Sequence, residues 1–494
     1  MARTRLARTS SSKSESSQPA KSTTRRSRNT CDRDDSFDDD DSSDAEARPA
    51  KKRKLSTART GKQSRLPSSL FEIGPITHPE ACARSTGRRH SLFYHRPLLL
   101  CQDEGLRHRR SLLSWFDSVS TARAMPWRKA WIDPDAPIDA DADADAVPLR
   151  EQLARRAYEV WISEIMLQQT RVAVVIDYWK RWMAKWPTIH DLAAADPEDV
   201  LAAWRGLGYY SRATRIHDAA RMVVDDETMR GLLPSATAQL EAKVPGVGRY
   251  TAAAISAIVF GRPAPMVDGN VLRVLSRQLG IHGNIKTDRH VIDAIWAAAD
   301  ALVRAVSQDR DEDEDPHSDV SDRPGRWGQA LMELGSTVCT PKPNCAACPV
   351  TASCRVYAEA KTTTSRPGAA AGLIADMEDA CTLCEPFEED APLPEPEPQA
   401  PPPPPQKTTR SKQMTLAAFA FTGTPSKRAP SSPPKPKQKQ DHDQEAIANY
   451  ARRFPIKTAK KPSRTEHQVV CAISRPDGRL LIRRRPETGL LAGL

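Results

Sequence analysis

VPGVGRYTAA, residues 244–253, is the stretch that decides the fold. It lies between two segments with helical periodicity, and Gly246 and Gly248 permit a tight turn that aims backbone N–H groups outward at the start of the second helix. A turn of that kind, formed by Gly246, Val247, Gly248 and Arg249, grips a phosphate without reading base sequence. A lone Pro-Gly would be an ordinary helix-to-helix turn, but the full P-G-V-G-R pattern followed by a helix favours the anion contact. Upstream, LLSWF, AYEVWISEIMLQQT and VAVVIDYWKRWMAKW carry apolar residues three and four apart, the spacing of buried or amphipathic helices. Asp196 before Pro197 reads as an N-cap with proline at the first helical position, and Ser235 as a second cap before ATAQLEA. Strand-like alternation is nearly absent before residue 466, where two apolar runs flank Pro476, Asp477 and Gly478. A mainly α protein is predicted.

The outer parts of the chain differ in kind. With 41 prolines in 494 residues, much of the sequence is not expected to pack. Residues 1–85 combine Ser, Thr, Arg, Lys and an Asp tract, a composition that cannot offset the entropy of ordering, and are expected to be a disordered arm. Residues 86–358 form the expected helical core, interrupted at 308–325 by a charged, proline-containing insert read as a loop. Residues 359–453 read as a connector and Pro-rich linker, and 454–494 as the start of a further module. The formal net charge of +10 favours a polyanionic partner, with nucleic acid foremost. Long apolar runs and a secretory signal are not seen, so an intracellular monomer without membrane association is expected. The basic run Lys51, Lys52, Arg53 and Lys54 suits nuclear import, while MARTRLARTSSSKS suits either a mitochondrial presequence or a basic tail.

Three groups of residues carry chemistry. Glu164 is surrounded by Trp161, Ile162, Ile165, Met166 and Leu167, where desolvation should raise its pKa and keep a proton available; on an exposed helix face it would be an ordinary glutamate. Asp268 opens the helical run VLRVLSRQLG and taken alone is an N-cap. Cys339, Cys345, Cys348 and Cys354 follow as C-x5-C-x2-C-x5-C, a metal-like quartet whose spacing leaves zinc and an iron–sulfur cluster comparable.

The strings WISEIMLQQT, GLGYYSRATR, VPGVGRYTAA and MVDGNVLRVL together resemble the MutY family of the helix-hairpin-helix, endonuclease III-type superfamily, densely over residues 111–354 and in part over 454–494. The resemblance implies a helix-hairpin-helix glycosylase fold acting on duplex DNA with adenine opposite 8-oxoguanine or guanine. It makes Glu164 the acid that protonates a flipped-out adenine and Asp268 the carboxylate facing the cationic sugar. It gives Gln168, Gln169, Tyr209, Tyr210 and Arg212 to distorted DNA, and Tyr250 and Asn270 to support around Asp268. Tyr250 stands where the endonuclease III branch has a lysine that attacks the sugar, so base release without strand cleavage is implied. A bifunctional lyase is therefore the nearest rival, and a silent DNA-binding scaffold the rival from another class.

The same resemblance favours a four-iron four-sulfur cluster at the cysteine quartet, although its first gap here has five residues where six are common. Cys381 and Cys384 look like the family's zinc-binding connector pair, with His90, His95 or Cys101 as further ligands. Gln413, Leu416 and Phe419 fit the Q-x-x-L-x-x-F motif that docks on the sliding clamp, with Ala420 at the usual second aromatic position. Residues 454–494 resemble the first strands of an α/β Nudix-like domain that reads 8-oxoguanine; about 30 residues cannot close such a domain, so an incomplete module is expected.

Overall fold

The computed structural model describes residues 68–72, 81, 90–136, 147–309, 320–365, 381–386, 437–457 and 473–481. Their order is α1 (Gln102–Ser120), α2 (Leu149–Leu167), α3 (Val172–Lys185), α4 (Ile189–Ala193), α5 (Pro197–Trp204), α6 (Ser211–Asp225), α7 (Thr237–Lys243), α8 (Arg249–Phe260), α9 (Gly269–Leu279), α10 (Arg289–Gln308), α11 (Arg323–Thr337), α12 (Arg355–Ser365) and α13 (Lys437–Ala451). An antiparallel bridge joins Ser474 to Leu480, closed by a turn in which the Gly478 N–H donates to the Arg475 carbonyl, and among the described residues Ser91 also stands in a single β-bridge. That turn is where Pro-Asp-Gly was expected to reverse the chain. No helix of the described residues is long and apolar enough to cross a membrane.

Two apolar cores organise these helices. In the first, α2 is central: twelve of its nineteen residues are buried, including the unbroken run from Arg156 to Met166. Trp182 of α3 meets Trp186 and Trp204 edge-on at ring separations of 4.8 and 5.6 Å, an arrangement that suits the ring quadrupoles. The second core joins α1, α9, α10 and α11 and extends to the cysteine-rich turns after α11. Helix α8 packs against both α2 and α11, so it connects the two cores. The chain passes from one to the other through residues 261–268, after Gly261 ends α8 in a left-handed conformation at φ 63°.

Local signals succeeded where the capping chemistry was explicit and failed where packing overrode it. Asp196 caps α5 through the Glu198 N–H, with Pro197 in the first turn as expected. Ser235 is not the cap of α7: Ala236 holds that position, and the Ser235 carbonyl instead accepts the Ser256 hydroxyl at 2.8 Å. Helix also reaches into both ends of the expected 308–325 loop, because α10 continues to Gln308 and α11 starts at Arg323. Asp309 is held there by a bidentate pair with Arg109 at 2.7 and 2.5 Å. Leu70 and Ala81 are fully buried, so packed structure extends into the span expected to be a disordered arm. Helix α13, within the expected linker, packs on α12. The basic run 51–54 and the Gln413, Leu416, Phe419 motif lie outside the described residues.

Candidate functional site

Helix α2 buries two glutamates five residues apart, and their surroundings give them different uses. Glu159 is ion-paired, with Lys129 Nζ at 2.6 Å and Arg156 Nη1 at 3.7 Å. Glu164, only 6% exposed, instead accepts a hydrogen bond at 2.8 Å from the Tyr250 hydroxyl. Burial pushes its carboxyl up to about 7, the Tyr250 bond and Arg128 pull it down, and the charge of Asp268 pushes it further up. Near neutrality this group can therefore hold a proton and release it, as a general acid must. The Tyr250 hydroxyl, itself raised well above the ordinary tyrosine range by burial and by both acids, also lies 2.9 Å from Met332 Sδ.

Asp268 approaches from the second core, at the head of α9. Its Oδ1 accepts from the backbone N–H groups of Asn270 and Val271 at 2.9 and 2.8 Å, and its Oδ2 from Asn270 Nδ2 at 2.8 Å. It is thus a true N-cap, and its half-buried carboxylate acts on Glu164 and Tyr250 electrostatically. Asn270 supports Asp268 as expected and passes the connection on, because Arg273 Nη2 donates to Asn270 Oδ1 at 2.8 Å. Tyr250, expected beside Asp268, feels that carboxylate's charge and gives its hydrogen bond to Glu164. Sequence reading missed Met332, Arg128 and Glu333, which pairs with Arg128 at 2.9 Å; nothing local marks residues that act through contacts with α2 and α8.

Removing the Tyr250 hydroxyl should show in a pH profile. That hydroxyl favours the Glu164 anion, so in Tyr250→Phe the carboxyl titrates higher and the alkaline fall of the turnover rate moves to higher pH. Single-turnover rates between pH 6 and 9 would check this; an unmoved alkaline limb would contradict it.

The hairpin predicted at residues 244–249 joins α7 to α8. Gly246 adopts φ 79°, where its missing Cβ lets the chain pass Arg215, and Gly248 is the N-cap of α8 without a capping side chain. Gly246, Gly248 and Arg249 are exposed, whereas the Val247 side chain is buried in the first core, leaving only its backbone for an anion. Arg249 also stacks on Trp296 at 3.6 Å. Of the residues expected to meet distorted DNA, Gln169 and Tyr209 are exposed, while Gln168 and Tyr210 are half-buried. Gln169 and Tyr209 hold φ of 56° and 47°, the left-handed region that non-glycine residues rarely occupy.

Arg212 explains how that strain persists. Its Nη1 donates to the Ile165 and Gln168 carbonyls at 2.9 Å each, and its Nη2 to the Leu207 and Gly208 carbonyls at 3.1 Å each. The two terminal nitrogens thus bond to protein and fix the two loops that carry Gln169 and Tyr209.

Two thiol-rich groups lie near α9. Cys345, Cys348 and Cys354 are forced up by burial, to about 11, about 12 and well above the ordinary value, and each also feels neighbouring cysteines. None of these cysteines, Cys339 included, is in a disulfide. Arg277 Nη1 donates to Cys339 Sγ at 3.3 Å, as hydrogen bonds support metal-bound sulfur. A half-buried quartet of free cysteines, with a cation against one of them, is a donor set that fits a bound metal cluster. In the second group, His90, His95, Cys381 and Cys384 bring their ligand atoms within 4.8 Å of one another. Bonds from Cys384, His90 and His95 hold the Cys381 thiol well below its usual range, while burial lowers His95; both favour the unprotonated, metal-binding forms. Both histidines named as options take part, and Cys101 does not: its sulfur lies 3.8 Å from Arg96 Nη1 instead.

A hairpin feeding an uncapped helix, and two carboxylates brought together from separate cores, define the class of helix-hairpin-helix DNA repair proteins. Residues 162–299 match the family model described as HhH-GPD superfamily base excision DNA repair protein. The chain is 38% identical to the adenine DNA glycosylase of Rattus norvegicus over 397 residues, covering 78% of this chain and 59% of the relative. It is 32% identical to that of Schizosaccharomyces pombe over 417 residues, covering 82% of this chain and 71% of the relative. The chain belongs to the adenine DNA glycosylase family. It spans about three fifths of the length of the mammalian relatives it matches, 59% for rat and 56% for human. A solved thermostable thymine-DNA glycosylase aligns with TM-score 0.37 at 24% identity, covering 51% of this chain and 97% of that one.

Proposed function

We propose that the chain hydrolyses the N-glycosidic bond of adenine mispaired with 8-oxoguanine or guanine in duplex DNA, as a monofunctional enzyme of base excision repair. The observation that carries this reading is Glu164, a buried carboxyl raised to about 7 in the electrostatic field of Asp268. Adenine leaves poorly as an anion, so a proton from Glu164 to the flipped base accelerates departure. The Asp268 carboxylate then faces the developing sugar cation, held in place by the head of α9, and water completes the hydrolysis. Tyr250 receives the glutamate anion left after proton transfer. A tyrosine cannot form the Schiff base that a lysine would, so the abasic strand stays intact. Gly246, Val247, Gly248 and Arg249 would bind backbone phosphate, while Gln168, Gln169, Tyr209 and Tyr210 would meet the distorted duplex.

Cys339, Cys345, Cys348 and Cys354 are proposed to hold a four-iron four-sulfur cluster, which when bound ties the turns after α11 together and is redox-active. His90, His95, Cys381 and Cys384 supply the four nitrogen and sulfur ligands that a structural zinc ion prefers. Sliding-clamp docking through Gln413, Leu416 and Phe419, monomeric action and nuclear residence complete the proposal.

The test is incubation of the purified protein with duplexes bearing adenine opposite 8-oxoguanine, guanine or thymine, alongside iron, sulfide and zinc analysis. Expected are free adenine from the first two duplexes, strand breaks only after alkali, no borohydride trapping, and all three elements. Binding without base release would favour a scaffold instead, and borohydride trapping a lyase.

A further inference from the structure

We propose that residues 443–457 are a fixed clasp that seals one face of the cysteine quartet and shields a cluster bound there from oxidants and chelators. The inference rests on reading that quartet as the iron–sulfur site. Helix α13 begins at Lys437, and its second half and the residues after it pack onto a specific place. Ala451 and Phe454 join Val356 in a small apolar core of their own, and the side chains packed against it are Tyr450 and two of the quartet, Cys345 and Cys354. The clasp therefore removes water from two sulfurs. Solvent exposure and hydrogen bonding at sulfur are the levers by which a protein sets a cluster's reactivity.

Three separate attachments hold it. Buried Arg277 of α9 points Nε at the carbonyls of Ala451 and Phe454, 3.1 and 3.0 Å away, and Nη1 at the Cys339 carbonyl and Sγ and the Thr340 carbonyl. One guanidinium thus satisfies the end of α13, where unpaired carbonyls favour a cation, and the first cysteine of the quartet. Glu359 of α12 accepts from the Tyr450 hydroxyl at 2.9 Å and from the Tyr94 hydroxyl at 2.5 Å. Beyond the helix, the Ile456 N–H donates to the Gly283 carbonyl at 3.2 Å, and the Phe454 ring meets His282 edge-on at 5.3 Å. A surface helix needs one apolar stripe to stay docked; packing on two cysteines of the quartet and bonds to α9 and α12 make this segment part of the site's wall.

The experiment follows loss of the visible absorbance of the full-length, iron-loaded protein after addition of ferricyanide, and separately of EDTA in air, under conditions where far-UV circular dichroism is unchanged. Phe454→Ala, purified with wild-type iron content, should bleach about tenfold faster because local opening now exposes the sulfurs. Phe454→Leu should restore most of the protection, and Leu480→Ala, on the exposed hairpin, should bleach like wild type. If Phe454→Ala does not fold, Tyr450→Phe, which removes the hydroxyl that donates to Glu359, carries the test with an expected increase of about threefold. A folded, iron-loaded clasp variant that bleaches at the wild-type rate overturns the clasp. Wild-type protein that purifies without iron overturns the cluster reading beneath it, and the two failures are read from different samples.

Discussion

Replacing Glu164 by Gln should slow adenine release by about a thousandfold and, above pH 7, make the folded protein more stable. The two effects share a cause. Burial raises the Glu164 carboxyl from 4.5 to about 7, so the fold prefers its protonated form. The stability it contributes is complete below the unfolded value and is lost as pH rises through about 7, where a charge must be carried in the interior. That difference corresponds to about 3 kcal/mol, a figure of order-of-magnitude standing, and glutamine, neutral at every pH, does not incur it. Urea unfolding should show the variant ahead of wild type at pH 8.5, with the gap closing towards pH 5. Wild-type rates of base release, or identical pH dependences of stability, would remove Glu164 from the mechanism. A site that loses stability to keep its acid ready is a familiar form of the conflict between folding and chemistry.

Asp268→Asn should separate the two roles of that side chain. Asparagine caps helices about as well as aspartate, so the bonds to the Asn270 and Val271 N–H groups survive. The carboxamide then faces the Asn270 amide with a donor where Oδ2 accepted, so one hydrogen bond is lost at a cost of about 1 kcal/mol. Activity should fall far more, by about a thousandfold, because the anion facing the cationic sugar is gone. Single-turnover excision compared with the shift in urea midpoint decides the matter. Stability and rate falling by equivalent amounts would mean that Asp268 only caps.

What the sequence made legible was local. The hairpin, the two acids, the α5 cap and the cysteine quartet are each written within about twenty consecutive residues, because turn chemistry, helix caps and metal spacing act over that range. Partnerships formed by folding were not legible in the same way. Tyr250 and Glu164 are 86 residues apart, and His95 and Cys381 are 286 apart, so no spacing rule connects them. The resemblance of GLGYYSRATR gives Arg212 to DNA, while the carbonyls of two separate loops that accept its bonds are not marked in that segment. The return of α13 to the quartet was hidden by the proline-rich composition around it, which describes the path of the chain and not its destination.

Those four bonds of Arg212 have a mechanical consequence. The turn that follows α2 and the turn that precedes α6 cannot be displaced separately without stripping the half-buried guanidinium of acceptors. Gln169 and Tyr209, one from each turn and both already bent into unfavourable backbone shapes, therefore advance as the two edges of a single stiff prow. A duplex bound there as proposed would adapt to a form cast in advance, and substituting lysine for Arg212 would split the prow in two.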